Sequence, residues 1–269
     1  MACSVRFPPP PLDALVERIW DWEAPRQPHR FERMLPSARA QLVVNLLEDE
    51  TRVYDETLRC RRFSAAALDA PAHRSFVIDT AEQVRVVGVV FRAGGAAPFF
   101  RERMDALAND HADLEALAGG DARTLRTRLL EAGGAQARLD LLQDWLLRTA
   151  AGARRHHAVT HALRILDETP QVRRIDAVAA HCRLSPRRFG EVFREQVGMS
   201  PKRYVRLRRF QDVVARAHGR RRVEWAAIAA DCGFHDQPHL THEFRAFSGM
   251  TPGAYLAGQG PWAAHIPID

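Results

Sequence analysis

The chain has little that would seat it in a membrane or staple it with disulfides. No stretch of its 269 residues approaches the roughly 20 uninterrupted apolar residues of a membrane-crossing helix. Cysteine is scarce: Cys3, Cys60, Cys182 and Cys232 lie far apart with no Cys-x-x-Cys pair, which argues against a disulfide framework and points to a reducing compartment. Residues 1–11 lack the basic start, apolar middle and small-residue cleavage site of a signal peptide, so the expected location is cytoplasmic. Lysine is nearly absent, with Lys202 the only one; the other cations are arginines spread evenly along the chain. Glycine and proline, 16 each, are too few and too dispersed for a low-complexity or collagen-like chain. What is there, 46% hydrophobic and 27% charged residues, is globular and long enough for one large domain or two ordinary ones.

Charge is unevenly shared. The net charge is +6, yet residues 1–153 hold 20 Arg against 22 Asp and Glu, and residues 154–269 hold 19 Lys and Arg against 11. A basic half joined to a near-neutral half calls for an acidic partner, nucleic acid first.

The two halves also differ in pattern. Between Val16 and Phe91 the apolar residues come in short β-rich runs, such as Leu42 to Leu47, Ser75 to Ile78 and Val84 to Phe91, divided by turn-rich or charged segments. Such runs predict an antiparallel barrel or sandwich. Residues 98–151 are then expected to form helices, with Asp121–Ala132 and Ala135–Ala151 divided by Gly133-Gly134. Gly152 to Arg155 reads as a linker. Beyond it Val159, Ala162, Leu163 and Leu166 make one helical stripe, closed by Thr169-Pro170. Asp176 is placed to cap a helix to His181, and Ser185-Pro186 and Ser200-Pro201 each supply an N-cap followed by proline at the first helical position. The expected fold is α+β and multidomain: a β-barrel or sandwich-like unit with trailing helices over 1–152, and an all-α unit over 157–257.

The all-α half contains a repeat. Val178-Ala-Ala-His-Cys-Arg-Leu184 matches Ile228-Ala-Ala-Asp-Cys-Gly-Phe234 at an offset of 50, and Gly198-Met-Ser-Pro201 matches Gly249-Met-Thr-Pro252 at an offset of 51. Each copy reads as a short Ala-rich helix, a tight turn and a longer helix, which is helix-turn-helix architecture present twice. On the first longer helix, Arg187, Gly190, Glu191 and Arg194 share an outward face with Arg188 beside them. On the second, Pro238, Thr241, His242 and Arg245 do so, flanked by Gln237 and His239. Arginine can take guanine bidentately, glutamine suits adenine, and threonine or histidine can meet base edges or phosphates. A solvated helix face would explain either copy alone; two matched copies in the basic half favour DNA reading.

On these motifs, residues 157–257 resemble the DNA-binding domain of the AraC/XylS family of bacterial transcription regulators. Cys232 to Leu240 resembles that family's second-motif Gly-Phe signature, Gly249 to Pro252 its closing motif, and Arg209 stands where relatives usually carry arginine. The resemblance implies two helix-turn-helix units bridged by one long helix, about Pro201–Ala217, reading adjacent major-groove segments of double-stranded DNA. Gly190, where relatives often have a base-reading side chain, and His242, where arginine is common, depart from the pattern. Arg187 and His242 are expected to reach base edges about 34 Å apart, and Lys202 and Arg203 to touch only phosphate. Less specifically, Met34 to Ser37, Val43 to Leu46 and Gly88 to Ala96 resemble the β-rich sensor domains of one AraC subgroup. That likeness implies a small-molecule effector or homodimerisation, with RNA polymerase as a further candidate partner.

Other chemistry finds less support. His235, His239 and His242 have metal-compatible spacing but no completing cysteine or carboxylate, so neither a metal nor a cofactor is expected. Cys182 and Cys232 read as small buried residues, and Trp20 and Trp22 as strand core, with cavity lining the alternative. The competing reading is a DNA-modifying or metal-dependent enzyme that uses the helix-turn-helix module for targeting, as in the adaptive-response alkylation repair proteins that resemble it. That chemistry needs four upstream cysteine ligands, where only Cys3 and Cys60 stand, and an acceptor Pro-Cys-His-Arg sequence that is missing. No catalytic residue is assigned, and the chain reads as a regulator rather than an enzyme.

Overall fold

The first half folds into short antiparallel strands because its apolar residues alternate or cluster over four to eight positions. A computed structural model describes residues 2–150, 154–168 and 175–268; the expected linker residues Gly152 and Ala153 and the helix stop at Thr169-Pro170 lie outside the described residues. In chain order come β1 (Ala2–Arg6), β2 (Val16–Glu23), β3 (Phe31–Met34), β4 (Gln41–Asn45), β5 (Glu50–Tyr54), β6 (Cys60–Ser64), β7 (Ala66–Asp69), β8 (Phe76–Asp79) and β9 (Arg85–Phe91). The segment expected to be helical throughout is interrupted: α1 (Met104–Leu107) is followed by a short strand, β10 (His111–Asp113), then α2 (Leu114–Ala118), α3 (Gly120–Glu131) and α4 (Ala135–Thr149). That strand forms because His111, Ala112 and Asp113 pair with Asp69, Leu68 and Ala67 at the edge of β7, a long-range partner that local periodicity cannot reveal.

The helical half contains α5 (His157–Glu168), α6 (Ile175–His181), α7 (Pro186–Val197), α8 (Pro201–Ala217), α9 (Trp225–Asp231), α10 (Gln237–Ser248) and α11 (Pro252–Gly258). Asp176 sits inside the first turn of α6, not before it, where its carboxylate still complements the helix dipole. The chain then returns to the first half as β11 (His265–Ile268). This tail belongs to neither of the two spans expected from sequence.

Two sheets result. One runs β1-β2-β9-β4-β7-β10, the other β11-β3-β8-β5-β6, antiparallel throughout. Of the two forms anticipated, the structure takes the sandwich; no closed barrel forms among the described residues. The outer face of the six-stranded sheet, carrying Ile19, Leu42, Leu68 and Val89, packs on Leu125, Leu129, Leu142 and Leu146 of α3 and α4. Between them Arg138 of α4 forks onto both carboxylate oxygens of Asp21 in β2, both side chains only 5% exposed. The inner face carries Trp20, whose indole lies over Gly88 of the adjacent strand; a Cβ there would sit 2.6 Å from the ring. The ring's position therefore requires glycine.

A second core joins the helices. The α5 stripe, Phe189, Phe193 and Val197 of α7, Tyr204, Leu207 and Phe210 of α8, and Leu240 and Phe244 of α10 are buried together, and Leu35, Ala38 and Ile266 from the β-rich half are buried among them. Cys182 and Cys232 are buried in the same cluster, as free thiols. The helical half is not packed as an island.

Candidate nucleic-acid interface and the cavity behind it

The two reading helices are built alike. Ser185 caps α7 by accepting from the Arg188 amide, and Asp236 caps α10 by accepting from His239. Each helix has proline in its first turn and ends on a left-handed glycine, Gly198 at φ 80° and Gly249 at φ 74°. The turns before them also match. Gly233 at φ 74° has as its counterpart Arg183 at φ 55°, so a non-glycine residue carries the left-handed conformation in the first copy.

The side chains singled out from sequence separate into groups. On α7, Arg187, Arg188 and Arg194 are exposed, Arg187 at 91% of its side chain. Arg187 Nε reaches Glu191 Oε1 at 3.1 Å and Arg188 Nη1 reaches Glu191 Oε2 at 3.4 Å. The hydrogen bond from Arg187 leads the effects that hold the Glu191 carboxyl below its ordinary value. Glu191 is therefore an internal counter-ion for two arginines. Space is open at Gly190, where an added Cβ would meet nothing nearer than Arg194 Nη1 at 3.7 Å.

On α10, Gln237, His242 and Arg245 are exposed and Thr241 is half-buried. His239 is exposed but turned back: its Nδ1 accepts from the His235 amide at 3.3 Å, and its ring meets Phe234 edge-on at 5.5 Å. Among the described residues no group of three or more His, Cys, Asp or Glu side chains is arranged to hold a metal ion.

Lys202 and Arg203 lie at the start of α8, apart from both faces. Arg203 Nη1 donates to Nε2 of His73 in the β-rich half at 2.9 Å. Further along α8, Tyr204 donates to Asp167 at 2.7 Å, and Arg206 grips both carboxylate oxygens of Glu243 in α10 at 2.7 Å each. Burial comes first among the effects on Glu243 and opposes its charge, but the bonds from Arg206 outweigh it and keep the carboxyl low. Phe210 meets Phe244 and Phe247 at 4.9 and 5.3 Å. The connecting helix thus fixes α10 through a charged clamp and an aromatic cluster, features that the sequence reading missed.

Behind the second helix-turn-helix unit lies a cavity of about 320 Å³ between the two sheets. Trp20 and Trp22 line it, so they are wall residues and not simple core; alternation on β2 turns them inward while Ile19 and Asp21 face the helices. Trp262 and His265 of the C-terminal tail close it. His265 Nδ1 bonds Glu32 Oε2 at 2.8 Å, His29 Nε2 bonds Glu32 Oε1 at 2.7 Å, and Trp262 meets Trp22 edge-on at 5.5 Å. Burial opposes the Glu32 charge most strongly, yet these two partners hold its carboxyl below the usual value.

The strand pair β3–β11 is a shared wall. Glu32, Met34 and His265 face the cavity, whereas Ile266, paired with Arg33, is buried in the helical core. Arg33 Nη1 donates to the Ser248 carbonyl at the end of α10, 3.0 Å away. One side of this ribbon touches the cavity and the other touches the second reading helix. Nothing local in the sequence marks the ribbon, since its strands are more than 230 positions apart.

A helix-turn-helix domain family matches residues 178–258, and a domain family of unknown function, DUF6597, matches residues 5–113. Among solved structures, the chain is similar to ToxT from Vibrio cholerae at 9% identity, covering 96% of this chain and 98% of that one with a TM-score of 0.48. It is also similar to an AraC-type DNA-binding domain-containing regulator from Chromobacterium violaceum, at 20% identity over 39% of this chain and 93% of that one, TM-score 0.35. A DNA-binding transcriptional dual regulator from Escherichia coli aligns at 21% identity over 39% and 94%, TM-score 0.33. No curated protein matches the chain.

Proposed function

We propose that the chain is a DNA-binding transcription regulator of the AraC/XylS type, that it reads two adjacent major-groove segments with α7 and α10, and that a small molecule held between the sheets adjusts the second reader. The observation that carries the first part is the pair of matched, capped helices with exposed Arg187, Arg188, Arg194, Gln237, His242 and Arg245, held by one bridging helix. Glu191 tempers the charge of the first face and is displaced from its arginines when phosphate or guanine takes its place. Thr241 and His239 border the second face. His239 acts mainly by shaping the turn, since its Nδ1 is committed to the His235 amide.

The second part rests on the shared wall. A ligand that pushes on Trp262 or His265 moves β11, and β11 is buried against the core that seats α10. This ribbon ends on the core that seats α10, so the effect is assigned to the second half-site. Lys202 and Arg203 contribute phosphate contacts at most. The chain acts by binding, without catalysis; pairing of two copies and contact with RNA polymerase are the steps through which such binding would reach transcription.

The test uses the full chain, because Leu35, Ala38 and Ile266 from outside 157–257 complete the helical core. Selection from a random DNA pool is expected to return a two-part site. Affinity should fall steeply with salt, log affinity dropping by about 0.9 per phosphate neutralised for each decade of salt. Affinity indifferent to salt and to sequence would refute the proposal.

A further inference from the structure

We infer that the cavity between the sheets takes a hydrophobic cation, an apolar or aromatic body carrying an ammonium group, seated against the tryptophan walls with its charge at Asp69. This rests on the regulator reading above and names the chemistry of the effector. Trp20, Trp22 and Trp262 supply three indoles to one cavity. Indole is the best aromatic partner for a cation, and its attraction grows as the site is desolvated. Val43, Val53 and Ile78 add apolar wall, while Gln27, Gln41, Thr51, Thr80 and Gln83 give the lining uncharged polar positions.

The charged groups around the cavity fix the sign. Arg18 lines it, but its guanidinium is held by Glu17 at 2.5 Å and is 40% exposed. Glu32 is saturated by His29 and His265. Asp69 is left. Its carboxyl forms no hydrogen bond among the described residues, and its nearest base is His111 Nε2 on the neighbouring strand at 3.4 Å. That nitrogen is itself buried without a hydrogen-bond partner. Burial holds the His111 imidazole down at about 4, so at neutral pH it brings no positive charge to Asp69. Asp69, its side chain 23% exposed, therefore brings to the cavity a carboxyl that no cation of the chain balances. An ammonium donating to Asp69 balances it, whereas a carboxylate ligand would add a second like charge.

The experiment is calorimetric titration of the full chain with three probes that share one indole body: tryptamine, tryptophol and indoleacetate. Tryptamine is expected to bind about tenfold more tightly than tryptophol, with indoleacetate weakest. Asp69→Asn should bring tryptamine down to the tryptophol level and leave tryptophol unchanged. Indoleacetate binding as well as tryptamine, no binding by any probe, or an unchanged order in Asp69→Asn would each overturn the inference. If that variant fails to fold, the order on the unmodified chain decides. DNA binding in the same preparation separates the two readings. Intact DNA binding without tryptamine preference removes this inference alone; lost DNA binding with tryptamine preference intact removes the reader assignment alone.

Discussion

Arg203 at the first turn of α8 donates to His73 across the boundary between the two halves, 2.9 Å from nitrogen to nitrogen. Burial first, then the positive charges of Arg203 and Arg74, holds the His73 imidazole down at about 4. The folded-state value lies below the ordinary 6.5, so its stabilisation is present above pH 6.5 and is lost as pH falls towards 4. Chemical denaturation at several pH values should therefore show a steeper acid loss in the native chain than in His73→Gln. Parallel curves for the two would contradict this account.

Base readers and phosphate contacts are separable. Arg187→Ala is expected to cost roughly 1–3 kcal/mol on the preferred site and to relax preference at one or two base pairs. Lys202→Ala should weaken all sequences alike and flatten the salt slope. Site selection with both variants decides, and a changed sequence preference in Lys202→Ala alone would reverse the assignment.

Arg183 occupies left-handed backbone where its repeat counterpart is Gly233. An L side chain there costs roughly 1–2 kcal/mol, part of which returns through the greater freedom of glycine in the unfolded chain. Arg183→Gly should therefore raise stability by about half to 1 kcal/mol. Its side chain is exposed, so little packing is lost, and a lower melting temperature would show that it has another partner.

Asp21 and Arg138 form a buried, two-pronged pair between β2 and α4. Removing one partner strands the other charge in an apolar layer, so Asp21→Ala should cost about 3–5 kcal/mol. Replacing both residues with apolar ones of similar volume should recover most of that loss. An Asp21→Ala chain of native stability would mean that water reaches Arg138.

The tail predicts how the cavity and the reader communicate. Trp262→Ala should leave salt-dependent DNA affinity intact, because it lies on neither reading face, while weakening tryptamine binding and any change that tryptamine makes at the second half-site. Footprinting with and without tryptamine checks it. An undiminished ligand effect would place the coupling elsewhere.

Acid and base also act on the cavity itself. Burial pushes the Asp69 carboxyl up to about 7, and His111 beside it stays neutral through this range. Tryptamine affinity should then rise between about pH 6 and about pH 8 as Asp69 ionises. An affinity that is flat over that interval would detach the ammonium from Asp69.

The sequence by itself determined α7 and α8 almost to the residue. Ser185-Pro186, Ser200-Pro201, the repeated Gly-Met-Ser/Thr-Pro and the apolar stripes are signals carried within a turn or two of helix, and the exposed arginines follow from the same periodicity. It determined that the first half is β-rich, but not which strands adjoin. Only the tertiary structure decided that Trp20 and Trp22 face a cavity, that His265 lies beside Glu32, that Arg33 reaches Ser248, and that residues after 258 complete the first half's sheet. Helix contacts repeat every three or four residues and leave a local trace. Strand pairings across more than 200 residues leave none, because either face of a short strand becomes inner or outer according to the partner it meets.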